Sequence, residues 1–100
     1  MSVLMILRVK GDGTKLEEMA KEDPNPFVAV SQKGKAGGAI SHQFYATDDE
    51  VVVVDEWDSA ESFQAFFEGT PDIPKFMAAA GVTEPPQIAI LRKLDTGDGF

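Results

Sequence analysis

Apolar residues crowd the start of the chain at Val3, Leu4, Met5, Ile6, Leu7 and Val9, the pattern of a strand covered on both faces, which Gly11-Asp12-Gly13 ends. Thr14 with Glu17 three residues on forms a capping box. Leu16, Met19 and Ala20 then recur at helical spacing up to Asp23-Pro24, predicting a short first helix. Pro26 opens a second helical piece with Phe27, Val30, Ser31 and Gly34 on one side, until Gly37-Gly38 stops it. Ala39 to Ala46 returns to period two, with Ile40, His42 and Phe44 on one face and Ser41, Gln43 and Tyr45 on the other.

After a turn at Thr47-Asp48-Asp49, the β-branched run Val51 to Val54 predicts a strand to about Trp57 that is buried on both faces. A helix capped by Asp58 or Ser59 follows and presents Ala60, Phe63, Phe66 and Phe67 to a core, ending at Gly69-Thr70-Pro71. Ile73, Phe76, Met77 and Ala80 define another helical piece, with Gly81 placed to close it in the left-handed conformation. Glu84-Pro85-Pro86 blocks further helix, Gln87 to Leu94 supplies a fourth strand, and Asp95 to Phe100 is a polar tail.

This order is the split βαββαβ arrangement, an α+β, ferredoxin-like sandwich in which right-handed crossovers put both sets of helices on one face of an antiparallel sheet. The first and third strands are apolar on both sides, and one helical layer covers only one side. The simplest cover for the other is the same face of a second copy, so a two-fold homodimer is expected, with loops and tail folding over the sheet as the alternative. Residues 1–94 are read as a single domain and 95–100 as a flexible tail.

Composition narrows the class of function. With 100 residues, 43% hydrophobic and 26% charged, the chain suits one folded domain. It has no cysteine, which removes thiol catalysis, disulfides and thiolate metal sites. The apolar run at the N-terminus is too short to span a bilayer and is followed at once by Arg8 and Lys10, so it is read as a strand of a cytoplasmic protein and no membrane partner is expected. A net charge of -8 with nine scattered basic residues argues against a nucleic-acid partner. The glycine-rich stretches Gly11-Asp12-Gly13 and Gly34 to Gly38 match neither the dinucleotide fingerprint nor the P-loop, and no cofactor is expected. One histidine and no cluster of carboxylates on one face leave no expected metal site.

The segment Val51 to Phe67, VVVVDEWDSAESFQAFF, resembles the hallmark segment of the antibiotic biosynthesis monooxygenase-like family through Glu56-Trp57 followed by Ser59, Glu61 and Phe63. The resemblance implies a dimeric α+β barrel over nearly the whole chain. That superfamily includes cofactor-independent oxygenases of quinol-type substrates, haem-degrading enzymes, isomerases and members without known activity, so the fold does not settle the chemistry. The haem-degrading branch shares Trp57 but needs an Asn on the first strand and a His on the last helix, and this chain has neither.

Several residues could carry chemistry. His42, the sole histidine, is the best available general base near neutral pH, or else a satisfied interior histidine. Trp57 could stack on a planar aromatic ligand and donate an indole hydrogen bond, or anchor the core or dimer interface. Tyr45 has the same two readings, on the face opposite His42, while Phe44 lies beside His42. Arg8 could hold a carboxylate or oxyanion, or pair with Asp55 or Glu56. Asp55 and Glu56 cannot act together, because adjacent strand residues point to opposite faces. Two functions follow: a cofactor-independent monooxygenase of a small aromatic, phenol- or quinol-like substrate, or a non-catalytic small-ligand-binding or structural dimer.

Overall fold

Val3–Lys10 (β1) and Glu50–Trp57 (β3), the two segments apolar on both sides, lie at the centre of the sheet in the computed structural model, which describes residues 2–100. They pair antiparallel, with Met5 opposite Asp55 and Leu7 opposite Val53. Ala39–Ala46 (β2) flanks β3 and Gln87–Arg92 (β4) flanks β1, so the antiparallel sheet has the order β2-β3-β1-β4. Four helices connect the strands: α1 (Gly13–Glu22), α2 (Asn25–Gly37), α3 (Ala60–Glu68) and α4 (Asp72–Ala79). This is the α+β, ferredoxin-like fold expected from the element order.

The core lies between helices and sheet. Met5, Leu7, Val9, Val51, Trp57 and Phe63 are buried together, with Leu16, Phe66, Phe67 and Met77 packed against them. These residues are the inward half of each strand alternation and the apolar stripe of each helix. The outward half of the central strands carries Leu4, Ile6, Val52 and Val54, with Leu91 from β4. Among the described residues no element covers that face: Leu91 is 45% exposed, and Leu94 and Phe100 of the last segment stand in solvent.

Two local expectations change. The first helix is capped by Asp12, whose carboxylate accepts from the Thr14 N–H at 2.9 Å, so the helix begins at Gly13 and the Thr14–Glu17 capping box is not used. Gly13 permits this early start, because a Cβ there would lie 2.8 Å from the Ala46 Cβ. On β2, a bulge between Ala39 and Ser41 shifts the register, placing Ala39 opposite Trp57 and His42 opposite Asp55. Ile40 is therefore not in line with His42 and Phe44 but 59% exposed. The bulge follows the end of α2, where Gly38 has φ 122° and lies so close to Asp58 that a Cβ would meet its carboxylate at 2.6 Å.

Other expectations hold closely. Ser59 caps α3 by accepting from the Ser62 N–H at 3.1 Å, and Gly81, with φ 80°, follows the end of α4. The last strand stops at Arg92, two residues short of the expected Leu94.

Candidate functional site

The β2–β3 hairpin builds the site. Its turn is fixed by the Thr47 hydroxyl, which accepts from the Glu50 N–H at 3.0 Å, and by the Thr47 N–H donating to the Glu50 carbonyl at 2.9 Å. Ala46 is thereby set opposite Val51, and four pairs further along the ladder His42 stands opposite Asp55, both facing the helices. Cross-strand neighbours on one face lie within side-chain reach. His42 Nδ1 is 2.7 Å from Asp55 Oδ1, and the Trp57 indole N–H donates to Asp55 Oδ2 at 3.1 Å.

Asp55 is the centre of this chain. It is 5% exposed, and both its oxygens are engaged, so a buried carboxylate is satisfied rather than orphaned. A carboxylate accepts only; the Nδ1 facing it must therefore carry the proton, which leaves the lone pair of a neutral imidazole on Nε2. His42 keeps 36% side-chain exposure, between a buried anchor and the surface. The Phe44 ring meets the imidazole edge to face at 4.9 Å and 82°.

His42, Asp55 and Trp57 line a cavity of about 120 Å³ between sheet and helices, with Phe44, Phe63 and Phe66 among its other walls. That is close to the roughly 150 Å³ of apolar cavities that take up benzene. Among the described residues, His42 and Asp55 are its only titratable lining side chains, the rest being almost wholly carbon. The arrangement can receive one aromatic ring and take a proton from it, with Trp57 held against Phe66 at 5.2 Å. The Trp57 N–H is committed to Asp55, so the tryptophan offers a ligand its ring and not the hydrogen bond expected from sequence.

The other candidates sit elsewhere. Tyr45 is on the outer face, opposite Val52 and 57% exposed, as its alternation with His42 implies. Arg8 is on the outer face too, and its partner is neither Asp55 nor Glu56: it binds Glu50 at 2.9 Å, because Lys10 stands opposite Glu50 and the arginine reaches diagonally along the ladder. This pairing raises the Arg8 pKa, through the hydrogen bond first and the charge of Glu50 second. Glu56, also outward, is held below the usual carboxylate range first by a hydrogen bond from the Ser2 hydroxyl and then by Lys93. Among the described residues, no group of three or more His, Cys, Asp or Glu side chains is placed to hold a metal ion, and no helix is long and apolar enough to cross a membrane.

No protein-family model matches the chain, and no curated protein matches it. Solved structures do. SnoaB, a cofactor-independent oxygenase from Streptomyces nogalater, is 13% identical, covers 98% of each chain and superposes with a TM-score of 0.63. A candidate antibiotic biosynthesis monooxygenase from Caulobacter crescentus is 20% identical over 94% of this chain and 91% of its own, with a TM-score of 0.63. A dimeric ferredoxin-like protein from an uncultured marine organism is 15% identical over 94% of this chain and 89% of its own, with a TM-score of 0.64. The chain thus has the ferredoxin-like α+β fold found in antibiotic biosynthesis monooxygenase-like structures.

Proposed function

We propose that this protein is a cofactor-independent monooxygenase of a small aromatic, phenol- or quinol-like substrate, acting as a homodimer in the cytoplasm. The observation that carries the reading is the hydrogen-bonded chain from Trp57 through Asp55 to His42, ending on an apolar cavity of single-ring size. The likeness to SnoaB, an oxygenase that needs no cofactor, supports it.

In this reading His42 Nε2 takes the hydroxyl proton of the bound phenol, and Asp55 stabilises the imidazolium so formed. The ring carbon para to the oxygen bonds to dioxygen, the proton on that carbon leaves, and the O–O bond breaks with loss of water. A phenol and one dioxygen give a quinone and one water. All four electrons come from the ring, so no separate reductant enters. Phe44 and Trp57 shape the cavity around the ring, while Arg8 and Tyr45 take no part in the proton transfer.

An oxygen electrode tests this with a panel of phenols and hydroquinones. The native protein consumes oxygen, and His42→Ala lowers the rate by about 10²-fold or more, the usual worth of a positioned general base. Oxygen uptake equal in the two proteins, or none with any substrate, rejects the oxygenase. The nearly carbon-only lining favours the second reading, a non-catalytic small-ligand-binding dimer, and saturable binding of a phenol without oxygen uptake selects it.

The homodimer is supported by the uncovered outer face and by the dimeric ferredoxin-like neighbour. Leu4, Ile6, Val52 and Val54 are its centre, and a lysine at Val54 would bury an unpaired charge there. Sedimentation equilibrium of the native chain is expected to give twice 10.8 kDa, and Val54→Lys a monomer of retained secondary structure. A native monomer at tens of micromolar would contradict the dimer.

A further inference from the structure

A second recess adjoins the cavity. It has a volume of about 310 Å³ and lies on the surface between α1 and the edge strand β2, bounded by Glu17, Ala20, Gln43 and Tyr45. Leu16, Phe27, Phe44 and Val51 line both spaces, so four side chains form their common wall. Phe27 and Phe44 meet edge to face across this wall with centroids 6.4 Å apart, and Phe44 also touches the His42 ring. Two rings in a T-shaped contact can part by side-chain rotation alone, since exposed and half-exposed side chains change rotamer in picoseconds to nanoseconds.

We propose that this groove is a second subsite of the same ligand site: the substrate is an aromatic ring bearing an extended apolar substituent, with the ring beside His42 and the substituent passing between Phe27 and Phe44 into the groove. The inference rests on the ring-binding reading above and adds the shape and charge of the substrate to it. The inner cavity is filled by one ring, so any larger part of a ligand must leave it, and the wall shared with the groove lies next to His42. Among the described residues, Glu17 is the one titratable side chain at the groove apart from the Tyr45 phenol, and no lysine, arginine or histidine lines it. The substituent is therefore neutral or cationic at its far end, not anionic.

Trp57 is the only tryptophan and lines the cavity, so quenching of its emission reports ring binding directly. The probes are phenol, 3-hexylphenol, 3-(6-aminohexyl)phenol and the carboxylate analogue of the last, all of which leave the carbon para to the hydroxyl free. Hexylphenol is expected to bind at least about tenfold more tightly than phenol, the equivalent of roughly two buried methylene groups. Ala20→Phe, which fills the groove and does not touch the cavity, is expected to remove that gain while leaving phenol affinity unchanged. Glu17→Lys, an exposed change on α1, is expected to reverse the preference for the amino over the carboxylate probe.

If phenol quenches Trp57 but hexylphenol binds no more tightly, the subsite is wrong and the ring site stands. If neither quenches, both fall together. Retention of the hexyl gain in Ala20→Phe, with an unchanged thermal midpoint, places the chain elsewhere and overturns the proposal. An unaltered charge preference in Glu17→Lys overturns it equally, whether or not Ala20→Phe folds.

Discussion

Asp55→Asn is expected to leave the protein folded and to lower kcat for a phenolic substrate by about 10² to 10⁴, the span assigned to a positioned general base. The carboxylate dictates that His42 Nδ1 carries the proton, by accepting at 2.7 Å, and it offsets the charge that the imidazole acquires. An asparagine amide of the same shape can present its NH2 group to Nδ1 instead. That orientation puts the imidazole proton on Nε2 and removes the base. The loss should fall on kcat with KM little changed, because Asp55 touches the imidazole and not the ring of the substrate. Residues acting as one unit are not additive, so the double variant with His42→Ala should be no slower than His42→Ala alone. Steady-state kinetics of the four proteins checks this, and a double variant slower by the product of the two losses would show that Asp55 acts independently of His42.

Trp57→Ala is expected to be the most destabilising single change in the molecule. Trp57 is 1% exposed and packs on Phe63 at 5.7 Å and Phe66 at 5.2 Å, so its removal opens a large void at the base of α3. Aromatic-to-alanine changes in cores cost about 3–5 kcal/mol. Asp55 Oδ2 also loses its donor, a further cost of about 1–3 kcal/mol for a buried polar atom left unmet. A domain of this size has roughly 5–15 kcal/mol in all, so the variant should be largely unfolded at 37 °C. Trp57→Phe separates the two effects, since it keeps most of the ring and loses the N–H. Its thermal midpoint should fall by roughly 5–20 °C, at about 4–8 °C per kcal/mol. Circular dichroism melts of both variants decide, and a Trp57→Phe melt within a degree or two of native would show that the indole hydrogen bond contributes nothing.

Much of this was legible in the residues. The doubly apolar runs at Val3 to Val9 and Val51 to Val54 marked the central strands, because only a strand with neighbours on both edges and layers on both faces needs no polar side. The resemblance carried by Glu56-Trp57 pointed to the fold that the solved structures share. Asp55 was missed as the partner of His42, although the means to find it were present. Once Thr47 to Glu50 is taken as the turn, Ala46 pairs with Val51, and counting four residues outward on each strand puts His42 opposite Asp55. Arg8 was misread for the related reason that its partner depends on a diagonal reach, which alternation alone does not reveal. Ile40 was misplaced by the bulge after Gly38, and no apolar pattern announces an inserted residue. The cavity was beyond reach altogether, since it arises where Phe27, Phe44, Phe66 and Trp57 from four elements fail to fill one space.

Nitrogen-15 NMR of the labelled imidazole at pH 8 reads out whether His42 presents a bare Nε2 to a cavity that accepts an aromatic ring. The expected spectrum shows the tautomer protonated on Nδ1, an Nε2 signal of unprotonated type, and a shift of that signal on titration with phenol. A tautomer protonated on Nε2, or an Nε2 signal indifferent to phenol at millimolar concentration, would contradict that placement of Nε2.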